Sequence, residues 1–222
     1  MSSGAGFEAL VLAKAPVAGR VKTRLGADVG MPQAAALAAA ALRDTLGACA
    51  DAVGAEHCHL ALDGDLSIAA DAAELDALLA GWTVRAQAEG GLGTRIAHAA
   101  GEVPGPVVQV GMDTPQVDAD LLRLVAAGLE QHDAVLGEAE DGGWWVLALR
   151  DPAAARAVSG VPMSTPTTYD DTLAVLVGAG LDVGTAPVLR DVDTVADADV
   201  VAALVPGSIF AAVWREKGTM TL

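Results

Sequence analysis

The sequence predicts a single α/β domain built on a mainly parallel sheet, and three observations predict it. Short apolar runs such as Phe7–Ala13 alternate with Ala-rich amphipathic segments such as Met31–Ala50, the succession of β and α that a parallel sheet requires. The run Pro106–Gly111 (PVVQVG) lacks clean polar alternation and reads as a strand buried on both faces. At 222 residues the chain is long enough for one sizeable α/β core and short for two.

Taken in order, Phe7–Ala13 is a buried strand that breaks into a loop with Pro16 and Gly19. Met31–Ala50 is a helix with Pro32 suited to its first turn. Cys58–Leu62 is a second strand, Leu66–Ala80 a helix, Thr83–Gln87 a third strand and Gly93–Ala100 a helix. Pro106–Gly111 follows, then a helix over Val117–Gln131 and a strand over Ala134–Glu138. The turn Glu140-Asp141-Gly142-Gly143 leads straight into Trp144–Leu149, a hairpin-like reversal that adds at least one antiparallel strand. Pro166–Gly178 is a helix, Leu181–Ala186 a short edge strand and Val195–Leu204 a last helix. The tail 208–222 carries an apolar stretch, Ile209–Trp214, that suits docking as a helix or strand on this subunit or a neighbour. No repeat or linker divides residues 1–222.

Composition excludes several classes. Thirteen Lys and Arg against 29 Asp and Glu give a net charge of −16, which argues against general nucleic-acid binding. The 53% hydrophobic content is largely Ala and Val, and no window reaches the roughly 18 apolar residues of a transmembrane span. No secretory pattern occupies Met1–Phe7, so a cytoplasmic protein is expected. Cys49 and Cys58 are too few for a disulfide framework. In His57-Cys58-His59, strand alternation sends the two histidines away from the thiol, which argues against a metal site there.

The chemistry concentrates elsewhere. Lys14, Arg20, Lys22 and Arg24 are 4 of the 13 cations, and Glu8 is the only acid among the first 25 residues. A Gly-containing, cationic loop after a strand is how open α/β sheets present donors to phosphate, and four clustered cations suit a nucleoside diphosphate or triphosphate. The plainer alternative is a solvated basic loop paired with nearby acids. Gly19-Arg20-Val21-Lys22-Thr23 is not a Walker loop, and Gly90-Gly91-Leu92-Gly93 is not a dinucleotide fingerprint. Asp113 follows the buried strand, where a carboxylate emerges near the loop and suits a divalent cation bridging phosphates. It would equally cap a turn.

The loop resembles that of the GT-A-fold nucleotide-diphosphosugar transferase superfamily. The likeness is closest to a bacterial family that includes arsenosugar-biosynthesis-type transferases and carries the signature AKxPxxGxxKTRL. Ala13-Lys14-Ala15-Pro16, Gly19 and Lys22-Thr23-Arg24-Leu25 match it. Phospholactate guanylyltransferases have a similar K-(S/T)-R-L segment. The resemblance implies a three-layer, Rossmann-like GT-A fold with Mg²⁺ or Mn²⁺ as cofactor, and it implies roles for particular residues. Gly111, Asp113, Thr114 and Pro115 fit the family's G-(S/T)-D-(S/C/T)-P, with Met112 at the usual hydroxyl position. Asp191-Val192-Asp193-Thr194 resembles a D-(I/V)-D-T segment whose second Asp, here Asp193, joins the metal. Asp193 or Thr194 would also serve as an ordinary helix N-cap, with Asp197 completing a capping box.

Asp141-Gly142-Gly143-Trp144-Trp145 resembles D-G-G-(Y/W), with Asp141 holding or deprotonating an acceptor hydroxyl and the tryptophans offering a stacking face. A hairpin turn with two buried tryptophans is the alternative. Gln87 to Arg95 resembles Q-x-(G/x)-x-x-L-G-x-R, implying a pocket lined at Gly91 with Arg95 as a further anion contact. Ser164-Thr165 resembles W-S-T on the acceptor side, with Met163 in place of Trp. The expected activity is metal-dependent transfer from a nucleotide-diphosphate sugar to a small-molecule acceptor, with Lys14, Arg20, Lys22 and Arg24 on the diphosphate. Nucleotidyl transfer from a nucleoside triphosphate with pyrophosphate release, and nucleotide binding without turnover, are the alternatives.

Overall fold

The computed structural model describes residues 6–219, and its first strand explains the layering. Every residue from Ala9 to Ala13 of β1 (Glu8–Lys14) is buried, with Ala9, Val11 and Ala13 in one core and Leu10 and Leu12 in the other. A strand covered on both faces has no polar side to show. The chain continues as α1 (Thr23–Val29), α2 (Met31–Val53), β2 (Cys58–Asp63), α3 (Ala72–Leu78), β3 (Thr83–Ala86), α4 (Leu92–Gly101), β4 (Val107–Val110) and α5 (Ala119–Gly128). It then forms β5 (Ala134–Ala139), β6 (Trp144–Leu149), α6 (Thr168–Gly178), β7 (Val183–Leu189), α7 (Val195–Leu204) and α8 (Ile209–Thr219).

The strands form one sheet in the order β3-β2-β1-β4-β6-β5-β7. β6 runs antiparallel to β4 and β5, and the other pairings are parallel. This is the mainly parallel sheet with an antiparallel strand that the sequence predicts. α2 and α5 pack on one face. α4, α6 and a 3₁₀ segment over Pro152–Gly160 pack on the other. A third cluster joins α1, α2, α7 and α8, where Phe210 is 1% exposed. Both carboxylate oxygens of Asp44 accept from the first amides of α8, Ile209 N at 2.9 Å and Phe210 N at 2.8 Å, so donors that a helix start leaves open find partners. None of the helices among the described residues is long and apolar enough to cross a membrane.

Several elements differ from the sequence reading, among them the 3₁₀ segment Pro152–Gly160, which it did not contain. α1 is an extra helix inside the cationic segment. The predicted helix Leu66–Ala80 is divided: Asp65 caps a 3₁₀ turn through Ser67 N, and Asp71 takes a left-handed conformation, φ 53°, before α3 begins. β7 extends to Leu189 through Pro187, which lies where its pairing with β5 shifts register between Gly137 and Ala139, a bulged edge position that tolerates a missing N–H. His57 and His59 both point to Glu8, with ring nitrogens 2.9 Å from its two oxygens, while Cys58 is buried in the core.

Candidate active site

β1 delivers Lys14 to the carboxyl edge of the sheet, and the loop 15–22 is fastened there. Ala15 N donates to Asp63 O, and Ala70 N donates to Pro16 O. Lys22 closes the loop in a left-handed conformation, φ 46°, which costs an L-residue about 1–2 kcal/mol. The turn aims its ammonium inward, 2.9 Å from Asp113 Oδ1 and 3.0 Å from Asp193 Oδ1, on a side chain only 7% exposed. Burial by itself lowers the lysine pKa, but Asp113 and Asp193 outweigh it and raise the value above the ordinary one. Lys22 is therefore a fixed positive charge. Arg24 reaches the other oxygen of Asp193 at 3.3 Å from an exposed position. Lys14 and Arg20 are exposed and form no ion pair among the described residues, so two cations stand open to an anionic ligand.

Asp113 leaves β4 beside this loop, and Val192 N donates to its carbonyl at 3.1 Å, tying Asp113 to the Asp191–Thr194 segment. Met112 is 7% exposed, and its sulfur accepts from Lys14 N at 3.3 Å. Its role is to pack the loop base. Thr194 is the N-cap of α7 and forms a capping box with Asp197, which leaves the Asp193 carboxylate to Lys22 and Arg24. Asp191 is largely buried, and its carboxyl is pushed up to about 7, by burial first and then by Asp113, with Lys22 opposing and Asp141 and Asp193 adding. Four carboxylates thus share one electrostatic neighbourhood.

A cavity of about 360 Å³ opens beside them between Leu12, Gln87, Arg95, Gln109, Trp144 and Met163. A second hollow of about 320 Å³ is lined by Arg20, Lys22, Arg24 and Asp193, and the two share Lys14, Met112 and Asp113. Asp141 and Gly143 line the first, and Asp141 Oδ1 accepts from Gly143 N at 2.8 Å. Gly142 has φ 87°, and a Cβ there would lie 2.2 Å from Pro166 O, so only glycine lets the 163–168 segment close over the turn. Both tryptophans border the cavity, and Trp144, its indole N–H donating to Thr172 Oγ1, is the more exposed of the two. Trp145 is 2% exposed, sits in the opposite core and donates to Pro187 O, so the paired stacking face read from the sequence reduces to one ring.

Ser164 and Met163 line the cavity, whereas Thr165 does not, its hydroxyl standing 3.2 Å from those of Thr167 and Thr168. Gly91 is the N-cap of α4 and lies outside the cavity lining. The glycine that matters in that motif is Gly93, where a Cβ would meet Val158 O at 2.4 Å. Arg95 is held by Gln87 Oε1 at 2.9 Å and faces Asp63 at 3.4 Å, while the Gln87 amide donates to Ala13 O and Ala61 O. Sequence reasoning passed over Asp63, Gln109 and Asp191. Asp191 stands two residues before Asp193 and lines the first hollow while Asp193 lines the second, and that proximity in sequence was a usable signal. Asp63 and Gln109 reach the site only through strand pairing.

No three His, Cys, Asp or Glu side chains among the described residues form a ready metal cage. Asp113 and Asp193 nonetheless converge on one point, marked by the Lys22 ammonium, and two carboxylates suit a hard divalent cation that takes its remaining oxygens from phosphates and water.

The fold is an α/β domain of the nucleotide-diphosphosugar transferase type. The chain belongs to the family described as "Uncharacterized protein conserved in bacteria (DUF2064)", whose model matches residues 45–165, more than half its length. A proposed nucleotide-diphospho-sugar transferase from Desulfovibrio desulfuricans G20 is 28% identical, with a TM-score of 0.82 over 96% of each chain. Two further solved structures share the fold. The 4-diphosphocytidyl-2C-methyl-D-erythritol synthase from Anaerococcus prevotii is 11% identical, with a TM-score of 0.57 over 90% of this chain and 99% of its own. The CMP:2-keto-3-deoxy-manno-octonic acid synthetase solved with CTP is 15% identical, with a TM-score of 0.53 over 90% and 98%. A search of curated proteins gives no match.

Proposed function

We propose that the protein is a cytoplasmic glycosyltransferase, one domain over residues 1–222, that takes a nucleotide-diphosphate sugar and passes the glycosyl group to a small hydroxyl acceptor in the presence of Mg²⁺ or Mn²⁺. The observation that carries this is the junction of two hollows at Lys14, Met112 and Asp113, one lined by cations and the other by carboxylates and an indole. A diphosphate fits the first and a neutral ring the second.

Lys14 and Arg20, without ion-pair partners among the described residues, bind the diphosphate oxygens. Lys22 and Arg24 add fixed positive charge against the charge that develops on the leaving nucleoside diphosphate, the term that usually dominates such catalysis. Asp113 and Asp193 would hold the divalent cation, which when bound supplies Lewis-acid stabilisation of the diphosphate. Asp141, at the rim of the sugar-sized cavity, orients the acceptor hydroxyl and takes its proton. Ser164, Gly142 and Gly143 shape the acceptor side, with Trp144 under the ring.

Nucleotidyl transfer is the second reading, favoured by the Asp113–Asp193 pair beside the cationic loop, which would serve a triphosphate equally. Thermal shift with nucleoside diphosphates, triphosphates and sugar nucleotides, with and without Mn²⁺, on wild type and Asp113→Ala, separates the readings. Metal-dependent stabilisation greatest with a sugar nucleotide, and lost in the variant, supports glycosyl transfer. Preference for a triphosphate supports nucleotidyl transfer. Nucleotide binding indifferent to metal and to Asp113 supports a binding protein without turnover.

A further inference from the structure

Gln109 stands in the middle of β4, between Leu10 of β1 and Leu147 of β6, both in the core beneath α4. Its neighbours Val107, Val108 and Val110 are at most 1% exposed, and a residue serving only the core at position 109 would be apolar as well. Instead a carboxamide lies there, 3% exposed, and its Oε1 has no hydrogen-bond partner among the described residues. The side chain forms part of the cavity wall. An unpaired buried carbonyl destabilises the free protein, and a ligand hydroxyl toward which the carboxamide turns, donating to it, recovers that loss on binding.

The surrounding charge says what kind of ligand donates. The cavity is lined by Asp63, Asp113, Asp141 and Asp191 against Lys14 and Arg95. Arg95 is already held by Gln87 and Asp63, and Lys14 belongs equally to the phosphate hollow. With Lys14 given to the diphosphate and Arg95 paired with Gln87 and Asp63, Asp141 and Asp191 remain as carboxyl groups lining the interior without an ion pair among the described residues. A phosphate or carboxylate placed there would face like charges in a partly enclosed space. A ring bearing several hydroxyls supplies donors without adding charge and lies against the Trp144 indole.

We infer that Gln109 is a specificity-determining residue that accepts a hydrogen bond from a hydroxyl of the donor's glycosyl unit, and that this unit is a neutral polyhydroxylated sugar. The inference rests on the glycosyl-transfer reading and assigns the sugar class and the residue that reads it.

The test is calorimetric binding, with Mn²⁺ present, of three nucleoside diphosphates and their sugars (UDP with UDP-glucose and UDP-glucuronate, GDP with GDP-mannose, ADP with ADP-glucose) to wild type and Gln109→Met. Methionine keeps the length and removes the amide. Wild type is expected to bind at least one neutral sugar nucleotide more tightly than its diphosphate and than the glucuronate. The variant is expected to lose about tenfold on that sugar nucleotide, the effect of one hydrogen bond, while the diphosphate changes less than about twofold. Its melting temperature should equal or exceed that of wild type. Monodeoxy sugar nucleotides on wild type give an independent readout, with one deoxy position expected to cost about tenfold. If wild type prefers the sugar nucleotide but the variant and the deoxy series keep that preference intact, the inference is overturned and glycosyl transfer stands. Equal affinity for glucuronate and glucose overturns the neutral-sugar assignment. If wild type holds no sugar nucleotide better than its diphosphate, the glycosyl-transfer reading falls and the inference with it.

Discussion

Replacing Asp191 by Asn removes an ionisation that the folded protein disfavours, and the effect has a definite sign. The carboxyl is pushed from the ordinary 3.8 to about 7, by burial first and then chiefly by Asp113, against the pull of Lys22. The folded chain therefore binds this proton more tightly than the unfolded chain. Where the folded state binds more protons, stability falls as pH rises. The contribution is complete below the unfolded value near 4 and is lost as pH rises through about 7. Between pH 5 and pH 8 the loss spans about two pKa units, or about 3 kcal/mol at 1.36 kcal/mol per unit, and residual solvent contact reduces it to about 2 kcal/mol. Asn cannot ionise and escapes the loss. Urea denaturation of wild type and Asp191→Asn at both pH values should show the variant's stability relative to wild type increasing by about 2 kcal/mol from pH 5 to pH 8. A relative stability that is constant with pH, or that moves toward wild type as pH rises, would refute the picture of a buried carboxyl among like charges.

Arg20→Ala removes an exposed cation without an ion-pair partner among the described residues, so the melting temperature should stay within about 1 °C, while nucleoside diphosphate affinity falls about 10–100-fold, as for one charge-assisted hydrogen bond; calorimetry reads it. Lys22→Met leaves Asp113 and Asp193 facing each other, and since both are partly exposed the cost is expected near 2 kcal/mol. Mn²⁺ should recover part of that loss in thermal shift. Gly142→Ala forces a Cβ against Pro166 O at φ 87° and should cost about 1–3 kcal/mol, with a raised KM for the acceptor because the 163–168 segment is pushed off the cavity.

Local signals in the sequence carried much of this site, and long-range pairing carried the rest. The cationic loop was legible because four cations stand together in a chain of net charge −16. β1 and β4 were legible because strands buried on both faces have no polar alternation. The turn before β6 was legible because Gly142 and Gly143 permit it. The strand order was not, since β4 lies between β1 and β6 through contacts that no short window contains. For the same reason Asp63, at the end of β2, and Gln109, on β4, gave no sign that they face one cavity. α1 was hidden by Lys22, whose left-handed turn no propensity favours. The Asp193-or-Thr194 ambiguity at the start of α7 dissolves only in three dimensions, where Thr194 makes the cap and the Asp193 carboxylate is left to meet Lys22 from the far end of the chain.

The measurement that bears most directly on the function is product identification. Wild type and Asp113→Ala are incubated with Mn²⁺ and, separately, with a panel of sugar nucleotides and of nucleoside triphosphates, and the released species is assayed. Glycosyl transfer predicts nucleoside diphosphate from a sugar nucleotide with wild type and a loss of at least about 100-fold with Asp113→Ala. Pyrophosphate released from a triphosphate, with the sugar nucleotides left intact, would contradict it.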